Sequence, residues 1–140
     1  GTLPADQLVR LCFSGKDTQQ EIMKMLSGNA GCQALLGMKD MREIERHALA
    51  GEQPFAEVLE AMLYTVSKQI GAMAVALWGK ADAIILTGGI AHSKYCVEEI
   101  KKQVEFLAPV VVLPGEGEMR SLAFNALGAL NGELPIQEYV

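Results

Sequence analysis

Aromatic residues are scarce, at 6% of 140 positions with a single tryptophan, and cysteine occurs only three times, as Cys12, Cys32 and Cys96. An odd number of widely spaced cysteines with no C-x-x-C pair argues against a disulfide framework and against a zinc site, so the three read as reduced, mostly buried thiols. No uninterrupted apolar run approaches the roughly 18 to 20 residues of a membrane span. The N-terminus also lacks the basic, apolar, small-residue order of a signal peptide, and a soluble, cytoplasmic protein is expected. Excess positive charge is missing too. At a formal charge of −5 the chain has no broad attraction for nucleic acid, and an anionic ligand would have to be held by local devices such as helix N-termini and single Arg or Lys residues. There is no G-x-x-x-x-G-K-S/T phosphate loop and no G-x-G-x-x-G dinucleotide fingerprint.

What is present is enough apolar residue, 50% of the chain, to bury one core, so a single domain is expected. The first third reads as short helices over 5–13, 19–26, a piece ending at Leu36, and 41–50, separated by glycine turns. Thr18 with Glu21, and Asp40 with Glu43, have the spacing of capping boxes, in which the two side chains satisfy unpaired N–H groups of the first turn. Phe55, Leu59, Met62, Val66, Ile70, Met73 and Leu77 recur at steps of three or four and predict one long helix over 54–78. Its second half is apolar all round and rich in small residues, which predicts burial on several sides.

After Gly79 and Lys80 the pattern changes. Ala83-Ile84-Ile85-Leu86, closed by Thr87-Gly88-Gly89, reads as a strand buried on both faces, and Val110 to Leu113 as a second strand. Cys96 or Val97, Ile100, Val104 and Leu107 mark a helix between them, so the pair is expected to be parallel with a right-handed crossover. A last helix follows Pro114-Gly115-Glu116-Gly117-Glu118, with Met119, Leu122, Ala123, Ala126, Leu127 and Leu130 on its inner face and Asn131-Gly132 at its end. Two strands are few for a parallel sheet, which normally has several, and no internal repeat accounts for the deficit.

The most informative string runs from Asp82 to Lys94. A strand entering paired glycines and then a helix lets the backbone approach a flat ligand closely and aims free N–H groups at its polar atoms, although the same Thr-Gly-Gly also serves a plain tight turn. His47 and His92 lack Cys, Asp or Ser partners and read as surface or capping residues. Lys94, beside the glycines, suits either a phosphate or solvent.

Leu36-Gly37-Met38-Lys39-Asp40-Met41-Arg42-Glu43, Ile70-Gly71-Ala72-Met73, Ile85-Leu86-Thr87-Gly88-Gly89-Ile90-Ala91 and Pro114-Gly115-Glu116-Gly117-Glu118-Met119 together resemble the acetate kinase family, within the wider actin and hexokinase superfamily. The resemblance keeps its order along nearly all of the chain. Thr-Gly-Gly-Ile-Ala and Pro-Gly-Glu-x-Glu-Met are more similar to its butyrate-type branch than to its acetate-type branch. It implies an α/β fold: a partial actin-like, ribonuclease H-like lobe, helix-rich with a small, mainly parallel sheet. It further implies that Gly88, Gly89, Ile90 and Ala91 form the wall of an adenosine pocket for ATP or ADP. Ser93 stands there where the acetate branch has Asn, and Asp40 and Arg42 match an Asp-x-Arg element that clamps ribose and base. Asp40 as a helix N-cap and Arg42 as a surface charge are the plainer alternatives. Glu116 or Glu118 would organise Mg2+ on the nucleotide phosphates through water, a role suited to an ion that keeps much of its hydration. Capping at a helix start is the plainer role for both.

No catalytic residue is assigned, because the family's phosphate hairpins, acceptor-binding Arg and catalytic Asp have no match in these 140 residues. The expectation is therefore a C-terminal fragment forming a single nucleotide-binding lobe over 1–140: a helical part at 1–50, the long helix and a βαβα unit at 51–134, and a tail at 135–140. The intact protein would be an ATP-dependent kinase of short-chain carboxylates such as butyrate, homodimeric through this lobe, with the fragment inactive alone. The alternatives are a non-catalytic nucleotide-binding or dimerisation module, and an unrelated dinucleotide-type domain, against which the absent glycine fingerprint counts.

Overall fold

A computed structural model describes residues 3–115 and 117–135. The chain runs α1 (Ala5–Cys12), α2 (Gln19–Ser27), α3 (Cys32–Leu36), α4 (Met41–Leu49), α5 (Gln53–Ala76), β1 (Ile84–Gly88), a 3-10 turn (Gly89–His92), α6 (Lys94–Val104), β2 (Val110–Pro114) and α7 (Glu118–Leu130). The sheet has two parallel strands, paired Ile84 to Val110, Leu86 to Val112 and Gly88 to Pro114. The periodicities of three or four and the β-branched runs thus place each of these helices and strands to within a few residues. The 3-10 turn has no apolar period to announce it.

The helix starts are set by side chains. Thr18 Oγ1 accepts the Glu21 N–H at 3.3 Å while Glu21 returns a carboxylate oxygen to the Thr18 N–H at 2.7 Å, a complete capping box. The box expected at Asp40 and Glu43 does not form. Asp40 accepts from the Arg42 backbone N–H at 3.0 Å, and Glu43 turns to the Arg46 guanidinium at 2.9 and 3.0 Å. At Glu43 the reason is competition, since the charged Arg46 guanidinium binds its carboxylate more strongly than a neutral amide would, while Asp40 still caps the helix at the Arg42 N–H. At the elbow between α4 and α5, His47 Nδ1 lies 2.9 Å from Glu52 Oε1 and the ring stacks on Phe55 at 4.4 Å, so His47 fastens two helices rather than facing solvent.

One core holds these elements together. Ile44 from α4, Leu59 and Leu63 from α5, Leu86 from β1, and Cys96, Val97, Ile100 and Val104 from α6 are all buried in one cluster. Full burial of each large aliphatic side chain contributes roughly 1.5 to 3 kcal/mol, so α4, α5, α6 and the inner face of the sheet form a rigid block. Ser67 is buried among them without penalty, its hydroxyl donating to the Leu63 carbonyl at 3.0 Å.

Three apolar surfaces differ from expectation. β1 is covered on one face only, with Leu86 buried and Ile85 60% exposed. The end of α5 is open, with Met73, Val75 and Leu77 exposed and Trp78 89% exposed. α7 likewise leaves Leu122, Leu127 and Leu130 exposed. In each case the residues are apolar as read, but among the described residues no element lies over that face.

Candidate functional site

α3 closes on Gly37 in the left-handed conformation, and the chain turns through Met38 and Lys39 to Asp40, the N-cap of α4. Arg42 folds back on Asp40, with Nε at 3.2 Å from Oδ1 and Nη2 at 2.8 Å from Oδ2. That side-chain hydrogen bond, helped by the Arg42 backbone N–H, lowers the Asp40 pKa to about 2, and the same pairing pushes the guanidinium further up. Both groups are therefore fixed as ions at neutral pH. The Arg42 side chain remains 89% exposed, with its outer face free for a ligand.

Across from α4, β1 ends at Gly88 with φ 77° and ψ −168°, a conformation essentially confined to glycine. The Gly88 and Gly115 backbones exchange hydrogen bonds, and Thr87 Oγ1 donates to the Gly115 carbonyl at 3.0 Å, so the strand end is pinned to the start of the following loop. The 3-10 turn then buries Ala91 and leaves Ile90 half-buried, packed against the core and lining the cleft. Ser93 caps α6, its Oγ accepting the Cys96 N–H at 2.9 Å. The Ser93 hydroxyl proton is left over for donation, since the bond to Cys96 uses only a lone pair.

These two edges enclose a cleft of about 740 Å³ lined by Asp40, Met41, Arg42 and Glu45 from α4, and by Gly89, Ile90, His92, Ser93, Lys94 and Cys96 from the turn and α6. Of the residues singled out in the sequence, Asp40, Arg42, Gly89, Ile90 and Ser93 meet here. Gly88 and Ala91 do not line the cleft: one locks the strand end and the other is buried beneath the turn. Glu116 and the Glu118 side chain lie outside the described residues. Among the described residues no three His, Cys, Asp or Glu side chains converge to hold a metal ion. Cys96 forms an uncharged patch of the lining, because burial raises its thiol pKa.

Met41 and Glu45 are not singled out for the site by sequence; His92 reads there as a surface or capping residue, Cys96 as a buried thiol, and Lys94 is left open. A signal existed for the first two: Met41 and Glu45 are four apart on one helix and face the same way. For His92 and Lys94 only the 3-10 turn, invisible to periodicity, brings them to the rim.

The fold and cleft define an α/β lobe with a pocket at a strand–glycine–helix turn. The model of the acetokinase family matches residues 11–111, and the chain belongs to that family. It is 64% identical over 139 residues to a protein of Phocaeicola vulgatus named probable butyrate kinase, and 54% identical to a Bacteroides thetaiotaomicron protein of the same name. Each match covers 99% of this chain, which spans 39% of the length of either relative. In three dimensions it resembles the crystal structure of Porphyromonas gingivalis acetate kinase, with a TM-score of 0.76 at 20% identity, over 91% of this chain and 38% of that one.

Proposed function

We propose that this chain is the adenosine-holding part of an ATP-dependent short-chain carboxylate kinase, with butyrate as the acceptor. In the intact enzyme a carboxylate oxygen forms a bond to the γ-phosphorus of ATP as the bond to the β,γ-bridging oxygen breaks, giving butyryl phosphate and ADP. The observation that supports this most is the convergence of Asp40 and Arg42 with Gly89, Ile90 and Ser93 in one cleft, although the two sets lie far apart in sequence. Met41 and Ile90, the apolar residues of the lining, suit the faces of a flat base, the Asp40 carboxylate suits a ribose hydroxyl, and Arg42 and Lys94 suit phosphate oxygens.

Phosphoryl transfer depends on positioning the phosphates, metal and acceptor, and the groups for the acceptor are not assigned to this chain. Mg2+ would arrive on the nucleotide phosphates and keep most of its water, with Glu116 or Glu118 as candidates to hold that water. The remaining part of the enzyme would supply the acceptor site, so the chain alone is proposed to bind nucleotide without turnover. A cytoplasmic location fits a substrate pair of ATP and a small acid, and no described helix is long and apolar enough to cross a membrane.

A second reading, a binding or dimerisation module, is favoured by the apolar groove of about 480 Å³ that Val66, Ile70, Met73, Leu77, Ile84 and Leu107 line beside the end of α5. A homodimer through this face is compatible with the kinase reading, and sedimentation of the chain would detect it. The kinase reading is tested by calorimetric titration with Mg·ADP, repeated for Arg42→Ala and Gly89→Val. Saturable binding weakened about tenfold or more by either change, the size expected for losing one charged hydrogen bond or blocking the cleft, is the expected result. A folded chain that binds no Mg·ADP would overturn it.

A further inference from the structure

Glu45 sits in the same cleft, one helical turn along α4 from Met41, and is half-buried there. The other acidic side chains of α4 and its elbow already have partners. Both Asp40 oxygens are held by Arg42, Glu43 by Arg46, and Glu52 by His47. Ser93 Oγ already accepts from Cys96. Among the described residues no group hydrogen-bonds or pairs with the Glu45 side chain. Met41, Ile90 and Cys96 line the same cleft. A half-buried carboxylate with no partner keeps its lone pairs for a donor brought by the ligand, and a hydrogen bond to a charged acceptor is among the stronger ones.

Resting on the nucleotide reading above, we infer that Glu45 reads the base: its carboxylate accepts a hydrogen bond from the exocyclic amino group of an adenine seated between Met41 and Ile90. A carboxylate can only accept, so it gains from an amino N–H and is repelled by the lone pair of a bare ring nitrogen. Glu45 is thus a specificity-determining residue, selecting the base by charge and hydrogen-bond direction, whereas Met41, Ile90 and Cys96 supply shape alone.

The test compares the Kd of Mg·ADP with that of Mg·purine riboside diphosphate, the same nucleotide without its amino group, on the 140-residue chain. The native chain should favour ADP by roughly tenfold or more, the range of one hydrogen bond to a charged group. In Glu45→Ala the ratio should fall toward one, while Glu45→Gln, which keeps a carbonyl acceptor, should retain part of it. Circular dichroism of each variant checks that α4 is intact. Saturable binding of both nucleotides with the same ratio in native and Glu45→Ala proteins would overturn the role of Glu45 and leave the nucleotide site standing. Failure of the native chain to bind either nucleotide would overturn both.

Discussion

Gly88 and Gly115 exchange two backbone hydrogen bonds, each of 3.1 Å, and so close the parallel sheet with a single antiparallel bridge where the cleft begins. Both have positive φ, 77° and 84°. Gly89, the next residue, has no such φ, and a methyl group added there meets open space. Gly88→Ala should therefore destabilise the chain by about 1 to 3 kcal/mol through backbone strain, and Gly89→Ala should stay within about 0.5 kcal/mol of the parent. Urea denaturation of the two variants measures the contrast, and equal losses would contradict it.

Asp40 should titrate far below an ordinary carboxylate. Its pKa of about 2 in the folded chain, against 3.8 for the free side chain, means that its contribution to stability is complete above roughly pH 4. That contribution is lost as pH falls from there through 2. Carbon-detected NMR of the carboxyl group should show a midpoint near 2. In Arg42→Ala the midpoint should move up toward 3.8 without reaching it, since the backbone N–H of residue 42 still donates.

Trp78 is the one non-glycine residue with positive φ among the described residues, at 56°, and it follows the end of α5 with its side chain almost fully exposed. This position suits Gly or Asn, and a bulky residue there bears about 1 to 2 kcal/mol of strain. Trp78→Asn should raise thermal stability, by about 0.5 to 1 kcal/mol, because Asn tolerates the left-handed region. A lower midpoint in a thermal melt would show instead that the indole makes packing contacts worth more than the strain.

Much of the fold was legible because local rules govern it. The step of three or four from Phe55 to Leu77 gave α5, the β-branched runs gave both strands, and Thr18 with Glu21 gave the start of α2. Burial was less legible. Ile85, Met73 and Leu130 are apolar residues whose faces need cover, and apolarity does not say whether that cover lies within these residues. The cleft was legible only in part. Gly88 and Gly89 announce a turn, but nothing in periodicity joins them to Asp40 and Arg42; the family resemblance did that. Glu45 shares a helix face with Met41, but that spacing does not say what the face meets, because its place depends on how α4 and α6 sit against α5.

Adenosine is proposed to lie between the start of α4 and the glycine turn. Amide chemical shifts of the isotopically labelled chain, followed during titration with Mg·ADP, test it residue by residue. Saturable shifts are expected at Asp40, Met41, Arg42, Gly89, Ile90 and Ser93, with Met73, Leu77 and Ile84 in the apolar groove unmoved. Shifts confined to that groove, or none at all from a folded chain, would contradict it.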